Sequence, residues 1–223
     1  MQKQAWHALV AEIGAFLLAA GCAGCDLPGV LLCDECRAGL APAPLQVRTP
    51  GGITVHAAMS FGGVAARCIR RLKGEGDTLV ARPLGAALAA VLRPQTDAGV
   101  QPVPIPTSRA AFRLRGYRVP DLLISRAGAE PWRLLTHRGP HLDQRGLGAA
   151  ERAQNVRGSL QVRRNGHGAR IVLVDDVVTT GATLDEAARV LAGAGFEVVA
   201  GVALAATTRH SDRIADPPAT RRK

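Results

Sequence analysis

Thirteen residues constrain the fold of this chain more than any others: Ile171-Val172-Leu173-Val174-Asp175-Asp176-Val177-Val178-Thr179-Thr180-Gly181-Ala182-Thr183. The first four are wholly apolar, as suits a strand buried on both faces of a parallel sheet. Two carboxylates follow at the expected carboxyl end of that strand, the edge where open α/β sheets bind ligands. The next loop carries hydroxyls on Thr179, Thr180 and Thr183, and Gly181 allows close approach to its backbone. Residues 184–192 then take up a helical pattern. A helix N-terminus offers free N–H groups and a positive dipole end, a natural seat for phosphate. Carboxylates accept hydrogen bonds from vicinal hydroxyls. One segment therefore combines a diol clamp with a phosphate cradle, the chemistry of a 5-phosphorylated ribose. The purely structural use of the same residues would be helix capping by Asp175 and Asp176. Other phosphate motifs fit worse. There is no Gly-x-x-x-x-Gly-Lys-Ser/Thr and no strand followed by Gly-x-Gly-x-x-Gly. The acids stand at i and i+1, not the i and i+2 of a phosphatase pair.

The rest of the chain is compatible with such a sheet. Strands are expected at 53–61, 100–105 and 197–205, and helices at 64–72, 78–92 and 121–127. Pro102 and Pro104 argue that the second of these strands lies at an edge or a strand end. Residues 73–77 read as a glycine-bearing loop and 107–118 as an Arg-rich loop. Alternating strands and helices of this length predict an α/β fold with a parallel sheet. Residues 4–20 carry a helical repeat through Trp6, Leu9, Val10, Ile13, Phe16 and Leu17. The expected division is a helix plus cysteine module over 1–40, a Pro-rich linker over 41–52, the α/β domain over 53–207, and a basic tail over 208–223.

Cys22-x2-Cys25 and Cys33-x2-Cys36 form two knuckles separated by seven residues. Each can place two thiolates on one side of a tight turn, and two pairs complete a tetrahedral set. Four thiolates leave no open position, so the metal would be a structural zinc replacing a core too small to form unaided. Two disulfides or a redox dithiol are the other uses of such spacing. Cys68 stands apart and reads as a buried thiol.

The formal charge is +10, nearly all of it arginine, since Lys3, Lys73 and Lys223 are the only lysines. Such a chain attracts polyanions, whether nucleic acid, phosphorylated metabolites or anionic membrane, although an Arg-rich, Lys-poor composition also arises from base composition. No apolar run reaches the roughly 20 residues that span a bilayer. Leu18-Ala19-Ala20-Gly21-Cys22 loosely resembles a lipoprotein cleavage site. Glu12 interrupts the apolar stretch, so an amphipathic helix in a cytoplasmic protein is the expectation.

The 171–183 segment resembles the PRPP-binding motif of the type I phosphoribosyltransferases, PRPP being 5-phosphoribosyl-1-pyrophosphate. A four-cysteine knuckle before such a domain resembles the ComF family, associated with DNA uptake in natural competence. Residues 69–77, the Val103-Pro104-Ile105-Pro106 run with Arg109, Arg113, Arg115, Gly116 and Tyr117, and the spaced set Gln144, Leu147, Arg152, Asn155 and Gly158 are similar to that family's segments. Arg118 stands where the family usually has Asn, and His141 where it usually has Thr.

The resemblance implies a type I phosphoribosyltransferase-like sheet flanked by helices. It implies that Asp175 and Asp176 contact the ribose hydroxyls, and that Val178, Thr179, Thr180, Gly181, Ala182 and Thr183 hold the 5′-phosphate. Lys73 and Gly74 would hold the pyrophosphate with Mg²⁺, and Arg109 and Arg115 would close over it. Asp175, Asp176, Lys73, Arg109 and Arg115 are thus the expected catalytic set, and Cys22, Cys25, Cys33 and Cys36 the zinc ligands. The expected role is PRPP binding, phosphoribosyl transfer, and single-stranded DNA handling beside other competence proteins. A nucleobase salvage enzyme and a non-catalytic PRPP-sensing regulator are the alternatives.

Overall fold

The computed structural model describes residues 21–138 and 156–207. The expected helix at 4–20, the tail, and Gln144, Leu147, Arg152 and Asn155 lie outside them.

Two short elements begin the described chain. Helix α1 spans Asp34–Ala38 and strand β1 spans Leu45–Arg48. Strand β2 (Thr54–Ser60) follows, then α2 (Gly63–Gly74) and α3 (Ala81–Thr96). Strand β3 (Gln101–Pro104) leads to α4 (Arg109–Arg115) and α5 (Val119–Arg126). A small antiparallel ribbon joins β4 (Leu135–His137) to β5 (Leu160–Val162). Strand β6 (Arg170–Val178), helix α6 (Ala182–Gly193) and strand β7 (Glu197–Ala206) complete the fold.

The main sheet has the order β1-β2-β7-β6-β3. Its β2-β7, β7-β6 and β6-β3 pairs are parallel, and β1 joins the far edge antiparallel to β2. The apolar run at 171–174 becomes a central strand, fully buried, because helices cover both faces. On one face α2, α3 and α5 pack through Leu72, Leu88 and Ile124 onto Val172 and Val174. On the other, α6 and the β4-β5 ribbon pack through Leu184, Leu191 and Leu160 onto Ile171 and Leu173. Strand β3 lies at the edge, as its prolines require: Pro102 and Pro104 lack an N–H, and the outer side of an edge strand needs none.

Three expectations differ from the structure. The Pro-rich segment 41–52 is not an open linker, because Leu45–Arg48 forms β1 and pairs with Thr54–Ala57. Its partly buried Leu45 and Val47 pack against the second core, a gain that outweighs the local prolines. The Arg-rich stretch at 107–118 contains α4, started by the Ser108 side chain accepting from Ala111 N–H and stopped by Gly116 at φ 77°. Lys73 and Gly74 are not in a loop but in the last turn of α2. Among the described residues no helix is long and apolar enough to cross a membrane.

Candidate functional site

Strand β6 carries its two acids inside the strand, not beyond its end. It runs on to Val178, pairing Asp175 with Ala203 and Val177 with Ala205 on the β7 side. On the other side β3 stops: Pro104 pairs with Val174, and the Ile105 N–H donates to the Val174 carbonyl at 2.8 Å. From Asp175 onward β6 therefore has a strand neighbour on one flank only. The carboxylates sit at this step in the sheet, the crevice that an α/β fold offers to ligands.

Successive strand residues face opposite sides of a sheet, and the two acids have different surroundings. Asp176 is 8% exposed, and the Lys73 ammonium of α2 donates to its Oδ1 at 2.7 Å. Asp175 Oδ1 accepts from the Asp176 N–H at 2.8 Å. Asp175 keeps some surface area but is set deep among protein atoms. Burial first, and then the adjacent Asp176 charge, push its carboxyl up to about 7 against the opposing pull of Lys73. Near neutral pH Asp175 therefore readily takes up or gives off a proton.

Lys73 is held by its own helix end. The last carbonyls of a helix have no intrahelical donors. Here the Tyr117 hydroxyl donates to the Leu72 carbonyl, and Arg115 Nη1 donates to the Lys73 carbonyl at 3.0 Å. Arg115 thus steadies the turn that presents Lys73. Arg109, six residues earlier on α4, is exposed and lines a separate pocket with Thr107 and Phe112. The two arginines stand at the first and last positions of α4, at opposite ends of one helix and not on a loop. Gly74 follows Lys73 in open space.

The hydroxyl-bearing loop is a short turn between β6 and α6. Gly181 sits at φ 78°, a left-handed conformation costly for other residues, and a Cβ there would stand 2.5 Å from Thr49 Cγ2. The turn that follows β1 packs on this loop. The Thr49 hydroxyl donates to Asp185 Oδ1, and the Gly51 N–H donates to Asp185 Oδ2 at 2.8 Å. Asp185, in the first turn of α6, was not among the residues legible as functional, since its partners lie more than 130 positions away. Gly158, one of the spaced residues similar to the ComF pattern, donates its N–H to the buried Glu186 of α6 at 2.8 Å.

The four cysteines form one cluster whose Sγ atoms all lie within 4.8 Å of one another. The Cys33 sulfur is 3.7 Å from those of both Cys22 and Cys25. Thiolates at about 2.3 Å from a tetrahedral zinc stand roughly 3.8 Å apart, so the spacing fits a metal centre. Burial alone would raise the Cys22 thiol, but N–H donors from Cys33, Gly24 and Cys25 bring it down to about 6, favouring a ligating thiolate. Burial and the neighbouring thiols push Cys36 up. Gly24 is required here, because a Cβ would stand 2.4 Å from Cys36 Sγ. The cluster packs on α2: Arg71 donates to the Gly21 carbonyl and pairs with Asp26, and Arg67 donates to the Gly24 carbonyl. Helix α2 thus carries the cysteine cluster along one side and Lys73 at its end.

The chain is similar to known proteins over part of its length. A phosphoribosyl transferase domain model matches residues 143–219. Competence protein F of Haemophilus influenzae is 36% identical over 107 residues, which cover 44% of this chain and 46% of that protein. The match thus spans about half the length of this relative. Among solved structures, adenine phosphoribosyltransferase from Rhodothermus marinus is 21% identical, with a TM-score of 0.39 over 76% of this chain and 85% of that one. The Saccharomyces cerevisiae adenine phosphoribosyltransferase is 11% identical, with a TM-score of 0.39 over 78% and 89%.

The sheet order, the acid pair at its step and the domain match define a type I phosphoribosyltransferase-like fold. With the four-cysteine cluster before it and the similarity to Competence protein F, the chain resembles the ComF family.

Proposed function

We propose that this chain binds Mg²⁺–PRPP at the step between β3 and β6 and acts as a ComF-type phosphoribosyltransferase in DNA uptake. The carrying observation is the conjunction of Asp175 and Asp176 at the open flank of β6 with Lys73 on Asp176. The two carboxylates accept from the ribose hydroxyls. Thr179, Thr180, Thr183 and the N–H groups opened by Gly181 take the 5′-phosphate, with Val178 and Ala182 shaping the turn. Lys73, the Gly74 backbone and a nearby arginine stabilise the negative charge that develops on departing pyrophosphate. Carboxylate and phosphate oxygens suit Mg²⁺, which when bound neutralises pyrophosphate charge. The protein's part is chiefly to position the ligand and hold complementary charge.

The cysteine cluster takes a structural zinc: its sulfur spacing suits the ion, and four thiolates leave no position for substrate. Its seat on α2 couples metal binding to the helix that presents Lys73. The +10 charge supports binding of single-stranded DNA; the reading as a ComF-type protein adds competence partners and a cytoplasmic location.

A thermal-shift titration with Mg²⁺–PRPP tests the site. At about 100 times its Kd the ligand should add roughly 2.7 kcal/mol of stability. An undiminished shift in the Asp175→Asn, Asp176→Asn variant overturns the assignment. Binding to oligothymidylate at two salt concentrations tests the DNA role; no binding at low salt removes it.

A further inference from the structure

Between α4 and the β4-β5 ribbon lies a pocket of about 290 Å³, close to the lower end of the roughly 300–1,000 Å³ of small-molecule sites. Arg109, Arg113, Arg118 and Arg163 line it, and among the described residues no carboxylate does. Among the described residues none of these four forms an ion pair, whereas Arg71, Arg133, Arg170 and Arg189 all do. The Arg118 guanidinium lies 4.3 Å from the centre of the Phe112 ring, a stacking that holds its donor fork in place. Four gathered guanidiniums repel one another and favour an anion among them. Their planar forks match carboxylate or phosphate oxygens two at a time.

The pocket also has a defined relation to the PRPP site. Helix α2, which carries Lys73, packs on the face of β6 that holds Val172 and Val174. Leu135 and Leu160 of the ribbon pack on the face that holds Ile171 and Leu173. Pro106, two residues beyond the Pro104–Val174 pair, forms one wall of the pocket. Helix α2 and the ribbon wall of the pocket therefore lie on opposite faces of the sheet that carries the acid pair. A displacement at the anomeric carbon brings the nucleophile in opposite the leaving group.

We infer that the acceptor of the ribosyl group is a small molecule bearing a carboxylate or phosphate, seated in this pocket with its anion on Arg113, Arg163 and their neighbours. This rests on the PRPP reading of the acid pair. In the step, a lone pair of the acceptor forms the new bond to the anomeric carbon. The bond to pyrophosphate breaks with its electron pair going to pyrophosphate, and the acceptor's proton passes to solvent. An uncharged base would leave the four arginines without a counter-ion among the described residues.

The test is calorimetric binding of three probes to the full chain: orotate as a base with a carboxylate, adenine as an uncharged base, and an eight-nucleotide oligothymidylate. Orotate should bind saturably and adenine at least tenfold more weakly. Arg113→Gln with Arg163→Gln, both exposed and thus tolerable to the fold, should weaken orotate at least tenfold and leave the PRPP thermal shift unchanged. Adenine bound as well as orotate, an unaffected double variant, or no binding of any probe overturns the inference. Binding of the oligonucleotide alone also overturns it and assigns the arginines to a nucleic-acid backbone. Orotate binding is read without PRPP, so a failure of the PRPP site appears only in the Asp175→Asn, Asp176→Asn titration.

Discussion

Lys73 of α2 and Asp176 of β6, 103 positions apart in the chain, meet at 2.7 Å across the open step of the sheet. The carboxylate is nearly buried and the ammonium is its one ion-pair partner among the described residues. Removing the cation leaves a desolvated charge. Lys73→Met should lower stability by about 1–3 kcal/mol, less than for a fully buried pair because the lysine is about a third exposed. It should also weaken PRPP at least tenfold. Urea unfolding and PRPP titration of the same variant measure both.

Asp175 sets a pH dependence. Its carboxyl is raised from 3.8 to about 7, mainly by burial and then by Asp176. The folded state therefore keeps a proton that the unfolded chain has already lost. Its contribution to stability is fully present below about pH 4, declines as pH rises, and is gone above about pH 7. Ribose hydroxyls donate to the ionised form, so PRPP binding should release a proton and tighten as pH rises through about 7. Calorimetry in buffers of differing ionisation enthalpy at pH 6 reads this proton release, and Asp175→Asn should abolish it.

Gly181 tests the phosphate turn. Alanine there meets an unfavourable φ of 78° and a contact with Thr49. The left-handed conformation alone costs about 1–2 kcal/mol, so Gly181→Ala should lose at least that in urea unfolding and weaken ribose 5-phosphate. Adding Thr49→Ser removes Cγ2 but keeps the hydroxyl bonded to Asp185, and should recover part of the stability.

For the cysteine cluster, one zinc per chain is expected on metal analysis of the purified protein. Chelation or Cys22→Ser should release residues 21–40 to proteolysis, because buried Ala23 and Leu40 join the main core only while the cluster holds its turns. PRPP affinity should fall as well, since Arg67 and Arg71 of α2 lose their carbonyl partners at Gly24 and Gly21. A chain that keeps its protease pattern after metal removal would contradict the coupling.

What the sequence determined by itself is local. The apolar run, the acid pair and the Thr-Gly turn at 171–183 lie within one strand–turn–helix unit, so their periodicity and turn chemistry are legible without knowledge of the rest. The same holds for the two Cys-x-x-Cys knuckles, and for Pro102 and Pro104, which place β3 at an edge. Tertiary structure decided what depends on distant partners. It drew residues 45–48 into the sheet through β2 and placed Lys73 on Asp176. It tied Thr49 and Gly51 to Asp185 and gathered Arg113, Arg118 and Arg163 around one pocket. Arginines scattered through an Arg-rich sequence carry no local signal; only the close of α4 against the β4-β5 ribbon makes their charges add.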